Sequence, residues 1–102
     1  MPGPLRVRVD VTAGPAAGRT FEFDEPDTFL FGRSADSRVS LPDDPYVSRH
    51  HFLLEVSPPD CKVTDLGSKN GTFVNDVRVK DRQLVTGDVL AFGETRVYVW
   101  VL

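Results

Sequence analysis

Arg33, Ser48 and Arg49 are well suited to hold a tetrahedral anion, and the run Gly67-Ser68-Lys69-Asn70-Gly71 adds a hydroxyl, a cation and an amide. An arginine offers a planar fork of donors that matches two phosphate oxygens, and a hydroxyl adds one directional donor. Arg33 follows Gly32 at the end of a predicted strand, where side chains pass from sheet to loop. Ser48 and Arg49 close the loop that begins at Pro42, in which Pro42 and Pro45 restrict the backbone and reduce the entropy lost on ordering. In 67–71 the glycines let backbone N–H groups approach a ligand closely. Together these blocks could hold one phosphate group without reacting with it. Taken singly, each has a plainer reading: a strand-end arginine is commonly solvated or ion-paired, and a glycine-rich run is commonly only a tight loop.

Other chemistries fit less well. His50 and His51 are adjacent at the start of a predicted strand and must point to opposite faces, so they do not share a metal ion. One is expected to turn inward and brace the loop through a hydrogen bond. A hydrolase built from Ser48, a histidine and Asp43 or Asp44 needs a base oriented by a carboxylate and an oxyanion site. Those residues crowd into a single short segment, and strand geometry turns one histidine away. No Gly-Lys-Thr or Gly-Lys-Ser triplet is present to bind a nucleotide, and Asn70-Gly71-Thr72 matches the N-glycosylation pattern only by composition. Cys61 has no base beside it in any motif and reads as a strand residue. No cofactor or metal is expected.

The elements that must position these groups are short strands. With 102 residues, the chain can bury one core, so a site must lie on its surface loops. A 40% hydrophobic and 26% charged composition describes a globular domain rather than a disordered chain. No apolar run approaches the roughly 20 residues of a membrane span. Met1-Pro2-Gly3-Pro4 shows neither a basic segment nor an apolar run, so no secretory signal is expected. The net charge of −3 argues against general nucleic-acid binding. Leu5, Val7, Val9 and Val11 alternate with polar residues, and 19–24 resumes that alternation after a Gly/Pro turn, which predicts an antiparallel hairpin. Further strands are predicted at 28–32, 38–41, 51–56, 62–66, 72–74, 88–92 and 95–102. No apolar helical pattern persists, so an antiparallel sandwich or barrel is expected.

In their order along the chain, these blocks resemble the signature of the forkhead-associated (FHA) domain. The matching residues are Gly32-Arg33, Ser48-Arg49 with His51, 65–72 with Asn75, then Leu84, Gly87-Asp88 and Gly93. The resemblance implies an all-β fold, an antiparallel β-sandwich of about eleven short strands, formed by 5–102 behind a flexible N-terminal tail at 1–4. It implies a module that binds phosphothreonine-containing proteins or peptides, such as a Ser/Thr kinase or its substrate, without catalysis. Arg33 and Ser48 would bond the phosphate, with Arg49, Ser68 and Lys69 adding phosphate or peptide contacts. Asn70 would hold the peptide backbone, while Gly32, His51, Gly71 and Asn75 would support the loops. The expectation is a monomer in the cytoplasm, or the nucleus of a eukaryote, that binds neither nucleic acid nor membrane. The competing expectation is a scaffold of the same fold that binds partners independently of phosphate. One departure stands out: Asp76 occupies a turn position where the family often has glycine, so the turn is expected to differ locally.

Overall fold

Alternation along Val7, Val9 and Val11 produces an extended segment with all three valines buried, because neighbours in a strand face opposite sides. This is β1 (Val7–Ala13) in a computed structural model that describes residues 6–57 and 59–102. The expected tail at 1–4 and the expected strand residue Leu5 lie outside the described residues. After β1 come β2 (Thr20–Phe23), β3 (Asp27–Gly32), β4 (Val39–Ser40), β5 (Phe52–Ser57) and β6 (Asp60–Asp65). The chain continues through β7 (Thr72–Val74), β8 (Val77–Val79), β9 (Asp81–Gln83), β10 (Val89–Phe92) and β11 (Thr95–Val101).

Two sheets share the core. One has six strands in the order β2-β1-β11-β10-β7-β8, and the other has five in the order β4-β3-β5-β6-β9. The all-β sandwich and the β1–β2 hairpin are as expected. One neighbouring pair is parallel: β4 runs beside the end of β3 through Phe31↔Val39 and Gly32↔Ser40. The sequence predicts no strand between 74 and 88, where β8 and β9 form; both are largely exposed. At the join of the sheet to its own ends, β1 lies along β11 from Val7↔Val101 onward, and Arg6 and Leu102 exchange backbone hydrogen bonds of 3.2 and 2.7 Å.

A cluster of buried aromatic rings adjoins the residues of interest. Phe31 of β3 stacks on Phe52 of β5 with ring centroids 4.6 Å apart, and Phe92 of β10, in the other sheet, meets Phe52 edge-on at 4.8 Å. Such pairs contribute about 0.5–1.5 kcal/mol each beyond area burial. Phe31 immediately precedes Gly32-Arg33 and Phe52 immediately follows His51, so both segments leave from a rigid cross-sheet contact. Cys61 is buried in the same core, and burial pushes its thiol up to about 12, which makes it unreactive.

The β7–β8 turn takes positive φ at both central residues, 50° at Asn75 and 68° at Asp76. That is the pattern of a two-residue hairpin turn whose twist suits the flanking strands. Asp76 therefore adopts the conformation a glycine would, as Asn and Asp do more readily than other side chains. Among the described residues no helix is long and apolar enough to cross a membrane.

Candidate anion-binding site

Gly32 sets the geometry. A Cβ at this position would lie 2.1 Å from the carbonyl oxygen of Arg49, so only a glycine lets the end of β3 approach that backbone. The approach is closed by three hydrogen bonds: Arg33 N–H to Ser48 O at 3.0 Å, Ser34 N–H to Arg49 O at 3.1 Å, and His51 N–H to Phe31 O at 2.9 Å. Residues distant in sequence thus become immediate neighbours.

Arg33, Ser48 and Asn70 each have one part of the side chain fixed and another left open. Arg33 donates Nε–H to Val47 O at 3.1 Å, which orients the guanidinium and leaves its terminal nitrogens for a ligand. Ser48 Oγ accepts the Lys69 N–H at 3.1 Å, so its own proton remains to be donated. Asn70 donates Nδ2–H to Tyr46 O at 2.9 Å, and its Oδ1 remains an acceptor suited to a peptide N–H. Arg49 and Lys69 are exposed, and among the described residues neither pairs with a carboxylate.

His51 is fully buried and ties the two loops together. Its Nδ1 accepts the Ser48 N–H at 3.0 Å, which assigns the ring proton to Nε2, and Nε2–H then donates to Gly71 O at 2.9 Å. Burial holds the imidazole below its ordinary value of 6.5, against the opposing pull of Gly71 O, Asp65 and Asp44, so the ring is neutral. His50 points outward, 3.4 Å from Asp36. Both nitrogens of His51 are engaged with backbone groups, so neither serves Ser48 Oγ as a base.

Asp65 organises the glycine-rich loop. Its Oδ2 accepts the N–H groups of Gly67 and Ser68 at 2.9 and 3.0 Å, and its Oδ1 accepts the hydroxyls of Ser68 and Thr72 at 2.6 and 2.7 Å. Burial raises its pKa, but these hydrogen bonds from Ser68 and Thr72 outweigh that and hold the carboxyl below the ordinary 3.8. Ser68 is buried, and its Oγ also accepts the Gly71 N–H at 3.0 Å, which directs this side chain into the loop. Gly71 takes φ of 90°, open only to glycine without strain.

Asp44, which the sequence offers only as a candidate catalytic acid, is a structural residue. It is buried and accepts the Tyr46 N–H at 3.1 Å through Oδ1, and the Glu94 N–H and Thr95 hydroxyl at 2.9 and 2.7 Å through Oδ2. An aspartate two residues ahead of the amide it accepts is a recognisable local signal for a turn. Tyr46 acts through its backbone carbonyl, which no side-chain motif announces. Asn75 sits at the other end of β7, where its amide bonds Asp88 Oδ1 at 2.9 Å and accepts the Val89 N–H at 3.0 Å.

A guanidinium and a hydroxyl fixed by backbone partners, with the exposed cations Arg49 and Lys69 carried on the same two loops, can receive a dianion. The chain is also similar to known proteins. The FHA domain family model matches residues 29–93. The glycogen accumulation regulator GarA of Mycolicibacterium smegmatis is 41% identical over 86 residues, covering 84% of this chain and 53% of GarA. The oxoglutarate dehydrogenase inhibitor of Corynebacterium efficiens is 40% identical over 86 residues, covering 84% of this chain and 59% of the inhibitor. The chain therefore spans a little over half the length of these curated relatives. A solved structure described as a structural and functional analysis of phosphothreonine-dependent FHA domain interactions superposes with a TM-score of 0.83 at 32% identity. It covers 93% of this chain and 95% of its own.

Proposed function

This chain belongs to the FHA domain family, and we propose that it is a phosphothreonine-dependent protein-binding module of Ser/Thr kinase signalling. The observation that carries the reading is the backbone bond between Arg33 and Ser48, which makes neighbours of two residues whose guanidinium and hydroxyl keep donors unengaged. In the bound state Arg33 and Ser48 donate to the phosphate. Arg49 and Lys69 add positive charge, and Asn70 Oδ1 accepts a peptide N–H. Gly32, His51 and Gly71 hold the loops at the required spacing. Ser68 contributes through Asp65 and Gly71 rather than by facing the ligand, and Asn75 supports the β7–β8 turn.

The preference for phosphothreonine over phosphoserine rests on one methyl group, whose burial is worth about 1 kcal/mol. Each charge-assisted bond contributes roughly 1.5–3 kcal/mol. Ordering a flexible peptide offsets much of that sum, which leads to an affinity on the order of micromolar, suited to a reversible contact. The names of the curated relatives, an inhibitor and a regulator, support a regulatory binding role, and in this reading the partner is a kinase or a kinase substrate. The module has no chemistry of its own in this reading and acts as a monomer in the cytoplasm.

Titration with a phosphothreonine peptide library, each peptide paired with its unphosphorylated form, tests the proposal. Wild type should bind only phosphorylated members, and Arg33→Ala should remain folded while losing that binding. Equal affinity for both forms of every peptide would overturn it and favour a phosphate-independent scaffold.

A further inference from the structure

The twelve lysines and arginines divide by what they touch. Arg6, Arg8, Lys62 and Arg96 face carboxylates, while Arg19 and Arg38 lie over the rings of Phe21, Phe23 and Phe29. Among the described residues, the six without either partner are Arg33, Arg49, Lys69, Arg78, Lys80 and Arg82. The first three belong to the loops already assigned to phosphate. The last three lie in the β8–β9 run, and two of them are continuous with those loops.

The continuity is physical. A Cβ on Gly71 would come within 2.8 Å of Arg78 Nε and 3.1 Å of its Cζ, so the Arg78 guanidinium rests against Gly71, one residue from Asn70. Lys80 is tied to the end of β6, from which the same loop departs, by its carbonyl, which accepts the Asp65 N–H at 2.7 Å. Between them lies a cleft of about 330 Å³ lined by Asp65, Gly67, Arg78, Val79 and Lys80, large enough for a peptide side chain. Asp65 is the one acid in this lining, and its oxygens accept four bonds from the loop, so it is committed inward rather than neutralising the two cations. Of the nearby acids on the other elements, Asp76 is paired with Arg96 at 3.5 Å and Asp81 is exposed on β9. In a chain of net charge −3, unpaired cations are concentrated here.

We propose that the cleft under Arg78 and Lys80 is a second anion subsite, which engages an anionic side chain of the same partner segment that carries the phosphothreonine. The shared chemistry is a carboxylate or a second phosphate flanking the first. This rests on the phosphothreonine reading and names a preference within it. Two exposed charge pairs correspond to about a three- to tenfold gain in affinity, reduced by salt.

Three sets of phosphothreonine peptides test it: neutral flanks, flanks with Asp or Glu at increasing separation on either side, and flanks with one phosphoserine. Each is titrated against wild type and against the double variant Arg78→Gln, Lys80→Gln. Wild type should bind the anionic sets about three- to tenfold more tightly than the neutral set. The carboxylate and phosphoserine sets show which source is preferred. The double variant should lose that gain while binding neutral-flank peptides as wild type does. A gain that is absent in wild type, or that survives in the double variant, overturns the subsite but leaves the phosphothreonine reading in place. If wild type binds no neutral-flank phosphothreonine peptide at all, the reading of the main site fails first.

Discussion

The two ends of β7 are built by the same device and serve different ends. At its start, Asp65 gathers Thr72 and the amides of the glycine-rich loop; at its finish, Asp88 holds Asn75 and the Val85 N–H. Each is a carboxylate that replaces water for a turn's donors. Around Asp65, however, a further layer remains open: the terminal nitrogens of Arg33, the Ser48 proton, Asn70 Oδ1 and the unpaired Arg49 and Lys69. Around Asn75 and Asp88 the polar groups satisfy one another. Rigidity is common to both ends, and binding follows from the donors that rigidity leaves unfilled.

That contrast can be broken by measurement. Arg33→Ala should weaken phosphothreonine-peptide binding by about 100- to 1,000-fold, the loss of two charge-assisted bonds, with an unchanged melting temperature; retained binding in calorimetry would place the phosphate elsewhere. His51→Ala should lower unfolding free energy by about 2–3 kcal/mol, because it opens a cavity and orphans the Ser48 N–H and Gly71 O. Its reporter is chemical denaturation, and binding should fall with it. Ser48→Ala should keep the fold and lose about tenfold in affinity. Asn75→Ala should lower stability by about 1 kcal/mol and leave affinity for the surviving folded protein unaltered. If it weakens binding as much as the serine variant does, the two ends of β7 are not separate in function.

The smallest effect is the dependence on acidity. His51 has a folded pKa below its ordinary 6.5, so the unfolded chain takes up the proton first as pH falls. Its contribution is therefore complete above about 6.5 and declines below that value, through the folded pKa. Asp65, held below 3.8, adds its own loss only beneath that value. Thermal melts of the unliganded protein from neutral pH down to 5 should show the first decline, and the His51 variant should lack it.

Much of this was legible in the sequence because one periodicity did the positioning. The valines of β1, and Phe52, Leu54 and Val56 of β5, alternate cleanly and are buried. That period also places His50 and His51 on opposite faces. The run 77–83 was harder to read because charged side chains occupy most of its positions and its two strands pair with different sheets; pairing with β7 and β6 makes them strands, not their own composition. The approach of the 48–51 segment to the end of β3 depends on a glycine contact with Arg49 O that no spacing rule anticipates. In the candidate site, side-chain type was readable but direction was not. Ser68 and Ser48 are both hydroxyls beside glycine or arginine, yet one is turned to Asp65 and the other accepts a backbone amide at the loop surface.

The mutual hydrogen bonds of Arg6 and Leu102 have an architectural consequence. Residues 6 and 102 lie side by side, so a unit cut at them and spliced into a surface loop of a host protein would separate the host's flanking segments by little more than one strand spacing, about 5 Å. Circular permutation is open to it for the same reason.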